Sequence, residues 1–205
     1  MPLPEPGFVL VDLPPVPAAL LDSYGDLPSA DGSGHRGPFR VSMSWTADDD
    51  WFFEVDGARA TAGRRAAAAR PFASGLTTLL RRLLGGPWLD VSADWHIDTH
   101  QLRTVVAPGA PVRVSLPRLD GCELLLFAVV RQEGVAGGGP RLVRTGEPEP
   151  CREVEPPPVR ALLADCRAVT QGLCELRATG PLPGVQDLLV GLVSRHSAGA
   201  ASAAA

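Results

Sequence analysis

Alternating apolar and polar positions mark the first strands of this chain. Apolar residues occupy every second position from Phe39 to Trp45, which is the pattern of a half-buried strand. A polar turn at 46–50 leads into a second apolar stretch, Trp51–Val55, so the two segments predict a β-hairpin. Upstream, the apolar segment Gly7–Leu13 could add an edge strand that stops at two prolines. The intervening residues 22–38 are predicted to be loop.

A helical period follows Pro71, and extended segments follow the helix. Leucines recur at helical spacing up to Leu84, and Gly85-Gly86-Pro87 supplies a stop signal. The next segments, 88–97, 101–106 and 111–116, read as strands. Cys122–Val130 is almost continuously apolar, which is typical of a central strand covered on both faces. The Asp120-Gly121 dipeptide before it is a hairpin signal.

The C-terminal third is predicted to be a mobile excursion followed by a helical hairpin. Residues 133–158 contain three consecutive glycines and six prolines. Apolar residues from Val159 to Leu176 and from Val185 to Val193 then form two stripes that fit helical spacing, separated by a Gly-Pro-Leu-Pro-Gly turn. The tail from Ser197 is rich in alanine, glycine and serine, and is expected to be disordered.

This order of elements predicts an α+β fold, in which a mainly antiparallel sheet has one helix between its strands and two C-terminal helices packed on a face. The expected organisation is an N-terminal segment (1–38), a core (39–132), an excursion (133–158), a helical hairpin that completes the core (159–196) and a tail (197–205).

Composition limits the classes of function. The net charge of −4 gives no general attraction to nucleic acid, and no apolar run approaches the length of a membrane helix. The first twenty residues contain no basic residue, so neither a secretory signal nor a transit peptide fits, and a cytoplasmic or nuclear location is expected. All 19 basic residues are arginines. Either a GC-rich gene or selection against lysine explains that bias.

One segment, 94–100, carries candidate metal chemistry. On a strand, Asp94, His96, Asp98 and His100 would share a face, and adjacent pairs could share a zinc or manganese ion. Asp94-x-His96-x-Asp98 resembles the strand motif of arginase-like ureohydrolases, but the further metal motifs of that family are missing. Alternatively, the polar row faces water while Trp95 and Ile97 face the core. Salt bridges from Asp94 or Asp98 to Arg103 or Arg113 would then complete it.

No other motif assembles a catalytic site. The four cysteines, at positions 122, 151, 166 and 174, show no CxxC spacing and read as free thiols, with Cys166 and Cys174 on one helical face. The sequence contains no Gly-x-Ser-x-Gly elbow, and Gly137-Gly138-Gly139 lacks the context of a phosphate-binding loop. No cofactor is therefore predicted.

The leading hypothesis is a non-enzymatic adaptor or assembly subunit of an intracellular complex that binds one or more protein partners. Both faces of the aromatic hairpin carry large side chains, and the stripe from Val159 is long for a small domain. The residues predicted to contact partners are Trp45, Trp51, Phe52, Phe53, Leu162, Val169 and Leu173. Two alternatives stay open: a small metal-dependent hydrolase that uses His96, Asp98 and His100, and a peptide or ubiquitin-like recognition module.

Overall fold

The computed structural model describes residues 3, 7–27, 35–45, 51–56, 75–85, 88–90, 92–114, 121–145, 150–153, 160–172 and 174–195. The strands are β1 Phe8–Asp12, β2 His35–Trp45, β3 Trp51–Asp56, β4 Trp95–Val106, β5 Val112–Val114, β6 Leu124–Glu133, β7 Val135–Gly137, β8 Arg141–Arg144, β9 Pro150–Glu153, β10 Arg160–Asp165, β11 Val169–Gly172, β12 Cys174–Ala178 and β13 Gly184–Arg195. Helix α1 spans Ala18–Ser23 and runs into a 3-10 turn, Tyr24–Asp26. Helix α2 spans 75–84.

The strands form one large sheet and two small ones. The main sheet has the order β1-β10-β6-β13-β4-β2-β3, and every neighbouring pair is antiparallel. The small sheets have the orders β11-β8-β9 and β5-β12-β7. Neighbours in the main sheet are mostly distant in sequence, which is typical of a jelly roll.

Each face of the main sheet has its own hydrophobic cluster. On the helix face, Ile97, Leu189 and Val193 pack with leucines of α1 and α2. On the opposite face, called the inner face here, residues such as Phe127 and Val190 pack against side chains of the two small sheets. The central strands are therefore covered on both sides, and the inner face is the interior of the jelly roll.

The predicted α+β fold with two C-terminal helices is wrong. The stretch predicted as the first helix contains β10, a turn at 166–168, and the strands β11 and β12, while the second predicted helix is β13. Strands buried on both faces read as nearly continuous apolar runs, and such runs also match a helical period. Cys166 and Cys174 accordingly lie on a turn and a strand, not on one helical face.

Other predictions differ in detail. The excursion 133–158 contains three strands, β7, β8 and β9. The predicted loop 22–38 contains the end of α1, the 3-10 turn and the start of β2. By contrast, α2 lies where the leucine spacing places a helix, and β2 pairs with β3 as the predicted hairpin. Strand β1 forms an edge of the main sheet. The segment 58–70 and the tail lie outside the described residues. Within the described residues, no helix is long and apolar enough to cross a membrane.

Candidate functional site

The candidate metal residues of β4 lie on the inner face of the main sheet. His100 is directly opposite Val190 on β13, and Asp98 is directly opposite Leu192. Val190 belongs to the inner cluster and Leu192 packs against it, so the two polar side chains share their face. His96, Asp98 and His100 are called the inner polar row below. The sequence-based prediction that they share a face is correct. The jelly-roll interior lies on their side of the sheet.

Within the inner polar row, His96 and Asp98 are in contact. Nε2 of His96 lies 3.3 Å from Oδ1 of Asp98, and the Asp98 side chain keeps 17% of its exposure. His100 lies four positions from His96, a separation of about 13 Å along an extended strand. The two imidazoles are thus too far apart to meet at one ion.

The salt bridges predicted for this row do not form as expected. Arg103 pairs with Asp187 on β13, and Arg113 lies 3.8 Å from Glu175 on β12. Alternation along β4 explains the first difference, because Arg103 is an odd-numbered residue and faces the helices, whereas Asp98 faces inward.

A second polar group of the inner face was not predicted from the sequence. Gln186 and Thr104 are directly opposite each other on β13 and β4, and both are buried. Nε2 of Gln186 donates to the carbonyl of Gly137 at 3.3 Å, while its Oε1 has no hydrogen-bond partner among the described residues. The signal available in the sequence is a glutamine beside an aspartate at the start of an otherwise apolar strand, Gly184–Arg195.

On the helix face, an ion pair is buried beside the 3-10 turn that follows α1. Asp187 is fully buried, and the Arg103 side chain keeps 14% of its exposure. Tyr24 lies over Arg103, with its ring centroid 6.0 Å from the guanidinium carbon, and donates its hydroxyl to the carbonyl of Leu188 at 2.8 Å. Because β13 carries both Asp187 and Gln186, this cluster fixes the strand that presents Gln186 inward.

The predicted partner-binding residues fall into two groups. Leu162 and Val169 are fully buried in the inner cluster, where no partner could touch them. Leu173 and the side chains of Trp45, Trp51, Phe52 and Phe53 lie outside what the structure describes.

Several solved structures share this fold. IDO from Bacillus thuringiensis has a TM-score of 0.65 and 15% identity, over 94% of this chain and 91% of its own. The Fe(II)/(alpha)ketoglutarate-dependent dioxygenase TqaL has a TM-score of 0.61 and 13% identity, over 93% and 83%. A bsmA homolog from Methylobium petroleophilum PM1 has a TM-score of 0.57 and 17% identity, over 85% and 79%. At these identities the likeness establishes the fold. No curated protein matches this sequence.

A family model described as 2OG-Fe dioxygenase matches residues 62–191. The match implies iron, and non-haem Fe(II) oxygenases hold their iron with two imidazoles and one carboxylate. Among the described residues, no three His, Cys, Asp or Glu side chains are grouped to hold a metal ion. The His96–Asp98 pair supplies one imidazole and one carboxylate, which are two of the three ligands of such a site.

The match also implies 2-oxoglutarate, a dicarboxylate. Proteins hold buried carboxylates with arginine or lysine. The chain contains no lysine, and Arg103, in the middle of the main sheet, is bonded to Asp187 on the helix face. The inner face presents the unpaired amide oxygen of Gln186, which would repel a carboxylate. Neither Arg103 nor Gln186 therefore offers a cationic partner to this cosubstrate on the inner face.

The comparisons overturn the prediction of a non-enzymatic adaptor. The matched segment covers more than half of the chain and includes the strands β4–β12, and a match to a dioxygenase family indicates an enzyme. The function terms that followed from the adaptor hypothesis, namely adaptor, complex subunit and protein–protein interaction, are wrong for the same reason. The chain belongs to the 2OG-Fe dioxygenase family.

Proposed function

We propose that this protein is an enzyme that acts on a small organic molecule bound against the inner polar row. One observation supports the proposal: His96, Asp98 and His100 lie on the inner face of the main sheet, in a chain of the dioxygenase family. Elsewhere on that face the buried side chains are mainly aliphatic. Titratable side chains beside an apolar wall are the usual makeup of a small-molecule site.

The chemistry of the row favours a substrate with hydrogen-bond donors. The carboxylate of Asp98 is a hydrogen-bond acceptor, and Asp98 is directly opposite Leu192, so an acceptor and an aliphatic side chain adjoin on this face. Leu102 and Leu192, which pack against the inner cluster on the same face, would contact an aliphatic group. A hydrophobic amine or amino acid matches both features better than a carboxylic acid of the same size.

Binding to metal-free protein tests this proposal. Isothermal titration in EDTA would compare primary aliphatic amines and hydrophobic L-amino acids with carboxylic acids of matched length. We expect the amines to bind more tightly. Asp98→Asn should weaken binding at least about tenfold, because a hydrogen bond to a charged group contributes about 1.5 kcal/mol or more.

The matched control is Glu175→Gln, which removes an exposed carboxylate on β12 that is paired with Arg177. This variant should bind like the parent protein. Equal affinity for amines and acids, or equal effects of the two variants, would contradict the proposal. The cytoplasmic or nuclear location and the protein partners predicted from the sequence stay predictions.

A further inference from the structure

Two cysteines meet where β6 begins and β10 ends. Leu124, the first residue of β6, is directly opposite Asp165, the last residue of β10. Beyond this pair, the backbone N–H of Cys166 donates to the carbonyl of Glu123 at 3.0 Å, so the two backbones stay in contact outside the strands. Cys122 directly precedes Glu123. Neighbouring backbones in a sheet are about 5 Å apart, which lies within the range of Cα separations that a disulfide spans.

Both cysteines lie outside the regular alternation of the sheet, and their thiols are in contact. Cys122 follows Gly121, which has a φ of 78°, and precedes a bend at 123, while Cys166 begins the turn 166–168. The two thiols are hydrogen-bonded to each other. Sγ of Cys122 donates to the carbonyl oxygen of Leu124 at 3.2 Å, so Cys166 is the donor in the bond between the thiols. The two sulfur atoms are therefore neighbours in the folded chain.

The surroundings give the two thiols different roles. Both residues are half-buried, so each keeps part of its surface open to a small oxidant. The hydrogen bond from Cys166 lowers the pKa of the Cys122 thiol, whereas the same contact and burial raise the pKa of Cys166. The thiolate is the nucleophile in thiol oxidation, and redox-sensitive cysteines often lie next to a second, resolving cysteine. Cys122 therefore suits the first role and Cys166 the second.

We propose that Cys122 and Cys166 are a modification site, at which hydrogen peroxide forms a reversible disulfide that joins β6 to β10. This proposal goes beyond the proposed function, because it involves neither the inner polar row nor a metal.

The reaction has two steps. The Cys122 thiolate attacks one oxygen of hydrogen peroxide, the O–O bond breaks, and hydroxide leaves and takes up the thiol proton to become water. The sulfur of Cys166 then attacks the sulfur of the resulting sulfenic acid, the S–O bond breaks, and a second water leaves with the Cys166 proton. The two thiols lose two electrons and two protons, and hydrogen peroxide is reduced to two water molecules.

The experiment is oxidation of the full chain by hydrogen peroxide. The protein is reduced with dithiothreitol, moved into EDTA buffer without reductant, oxidised, and alkylated with N-ethylmaleimide in urea. Thiols open to alkylation should fall from four per chain to two, and dithiothreitol should restore all four. Peptide mapping by mass spectrometry should find Cys122 linked to Cys166. The oxidised chain should unfold at a higher urea concentration than the reduced chain, because the bond closes a long loop of the unfolded state.

Variants with one cysteine replaced separate the two roles. In Cys166→Ala, peroxide should leave a sulfenic acid on Cys122 that dimedone traps, and in Cys122→Ala no link to Cys166 should form. The matched controls are Cys151→Ala and Cys174→Ala, which remove the cysteines of β9 and β12 in the two small sheets. These controls should form the disulfide as the parent protein does. Urea unfolding of each reduced variant confirms that it is folded.

The parent chain alone tests the proposal even if a variant does not fold. Absence of the Cys122–Cys166 link, or equal yields of links to Cys151 or Cys174 in folded protein, would overturn it. Oxidation in urea should give mixed pairs, and the same selectivity there would also overturn it, because the fold would then not be its source. Amine binding at the inner polar row is measured separately, so either proposal can fail while the other stands.

Discussion

The guanidinium of Arg103 and the carboxylate of Asp187 form two parallel hydrogen bonds between neighbouring strands. Nε of Arg103 donates to Oδ1 of Asp187 at 2.6 Å, and Nη2 donates to Oδ2 at 2.7 Å. Asp187 is fully buried, and this hydrogen bonding raises the pKa of Arg103 above its ordinary value. Because burial removes the water that would hydrate either charge, each charge depends on the other for its stabilisation.

Removing one charge of this pair should strongly destabilise the protein. We expect Asp187→Asn to lower the free energy of unfolding by about 3–5 kcal/mol, because it leaves the largely buried Arg103 charged and without its carboxylate partner. The measurement is urea unfolding followed by tryptophan fluorescence. Glu133→Gln is the matched control, because it removes the carboxylate of an exposed pair with Arg131, and its effect should stay within about 1 kcal/mol. Equal effects of the two variants would contradict the assignment.

Tyr24 should remain protonated well above pH 10. Burial, followed by the charge of Asp187, raises its pKa above the ordinary value of 10.0. Because the folded state favours the neutral form, this contribution to stability is fully present below pH 10. It is lost as the pH rises from 10 toward the raised pKa of the folded state.

The chain contains one tyrosine, so tyrosinate absorbance reports Tyr24 alone. We expect the absorbance to appear only well above pH 10, together with unfolding. Tyr24→Phe should weaken the alkaline loss of stability, and at neutral pH it should lower the free energy of unfolding by about 1 kcal/mol, since it loses the hydrogen bond to Leu188. Ordinary titration near pH 10 in folded protein would contradict this view.

Gly184 should not tolerate a side chain. A Cβ at this position would overlap the backbone carbonyl of Gly134 and the side chain of Val135, so the start of β13 would have to move. We expect Gly184→Ala to lower the free energy of unfolding by about 1–3 kcal/mol, measured by urea unfolding. Gly180→Ala is the control, because a Cβ there meets nothing within 4 Å. The hypothesis fails if the control is destabilised as much.

Cys122 should react with iodoacetamide faster than Cys166. The two half-buried thiols are hydrogen-bonded to each other, which lowers the pKa of Cys122, while the same hydrogen bond and burial raise the pKa of Cys166. The thiolate is the reactive species, so labelling measured by mass spectrometry should favour Cys122. Cys166→Ala should slow it. Equal rates in folded protein would contradict the prediction, whereas equal rates in urea are expected.

The sequence pattern correctly predicted elements that have two different faces, such as α2 and β4. The leucine stripe of α2 faces the main sheet, and its arginines, Arg81 and Arg82, face solvent. Strand β4 alternates between the two faces of the sheet for most of its length, so the common face of His96, Asp98 and His100 also followed from spacing. These features depend on neighbours within one segment.

Strands β10 and β13 were misread because both of their faces are buried. Leu163 packs toward the helices and Leu162 toward the small sheets, so the apolar run that they share carries no alternation. Gly191 within the second run is a signal that could have favoured a strand, because its position lies against Leu126 of β6 and leaves little room for a side chain.

The sequence by itself determined the position of α2 and the alternation of β4. It also determined that only four histidines and no lysine are available for a site. Only the tertiary structure decided that the polar row faces the interior of a jelly roll, that Asp187 and not Asp98 meets Arg103, and that Gln186 lies buried opposite Thr104. These relationships join strands far apart in the chain. A segment's own periodicity shows how its side chains divide between two faces, but the strand pairing determines what covers each face.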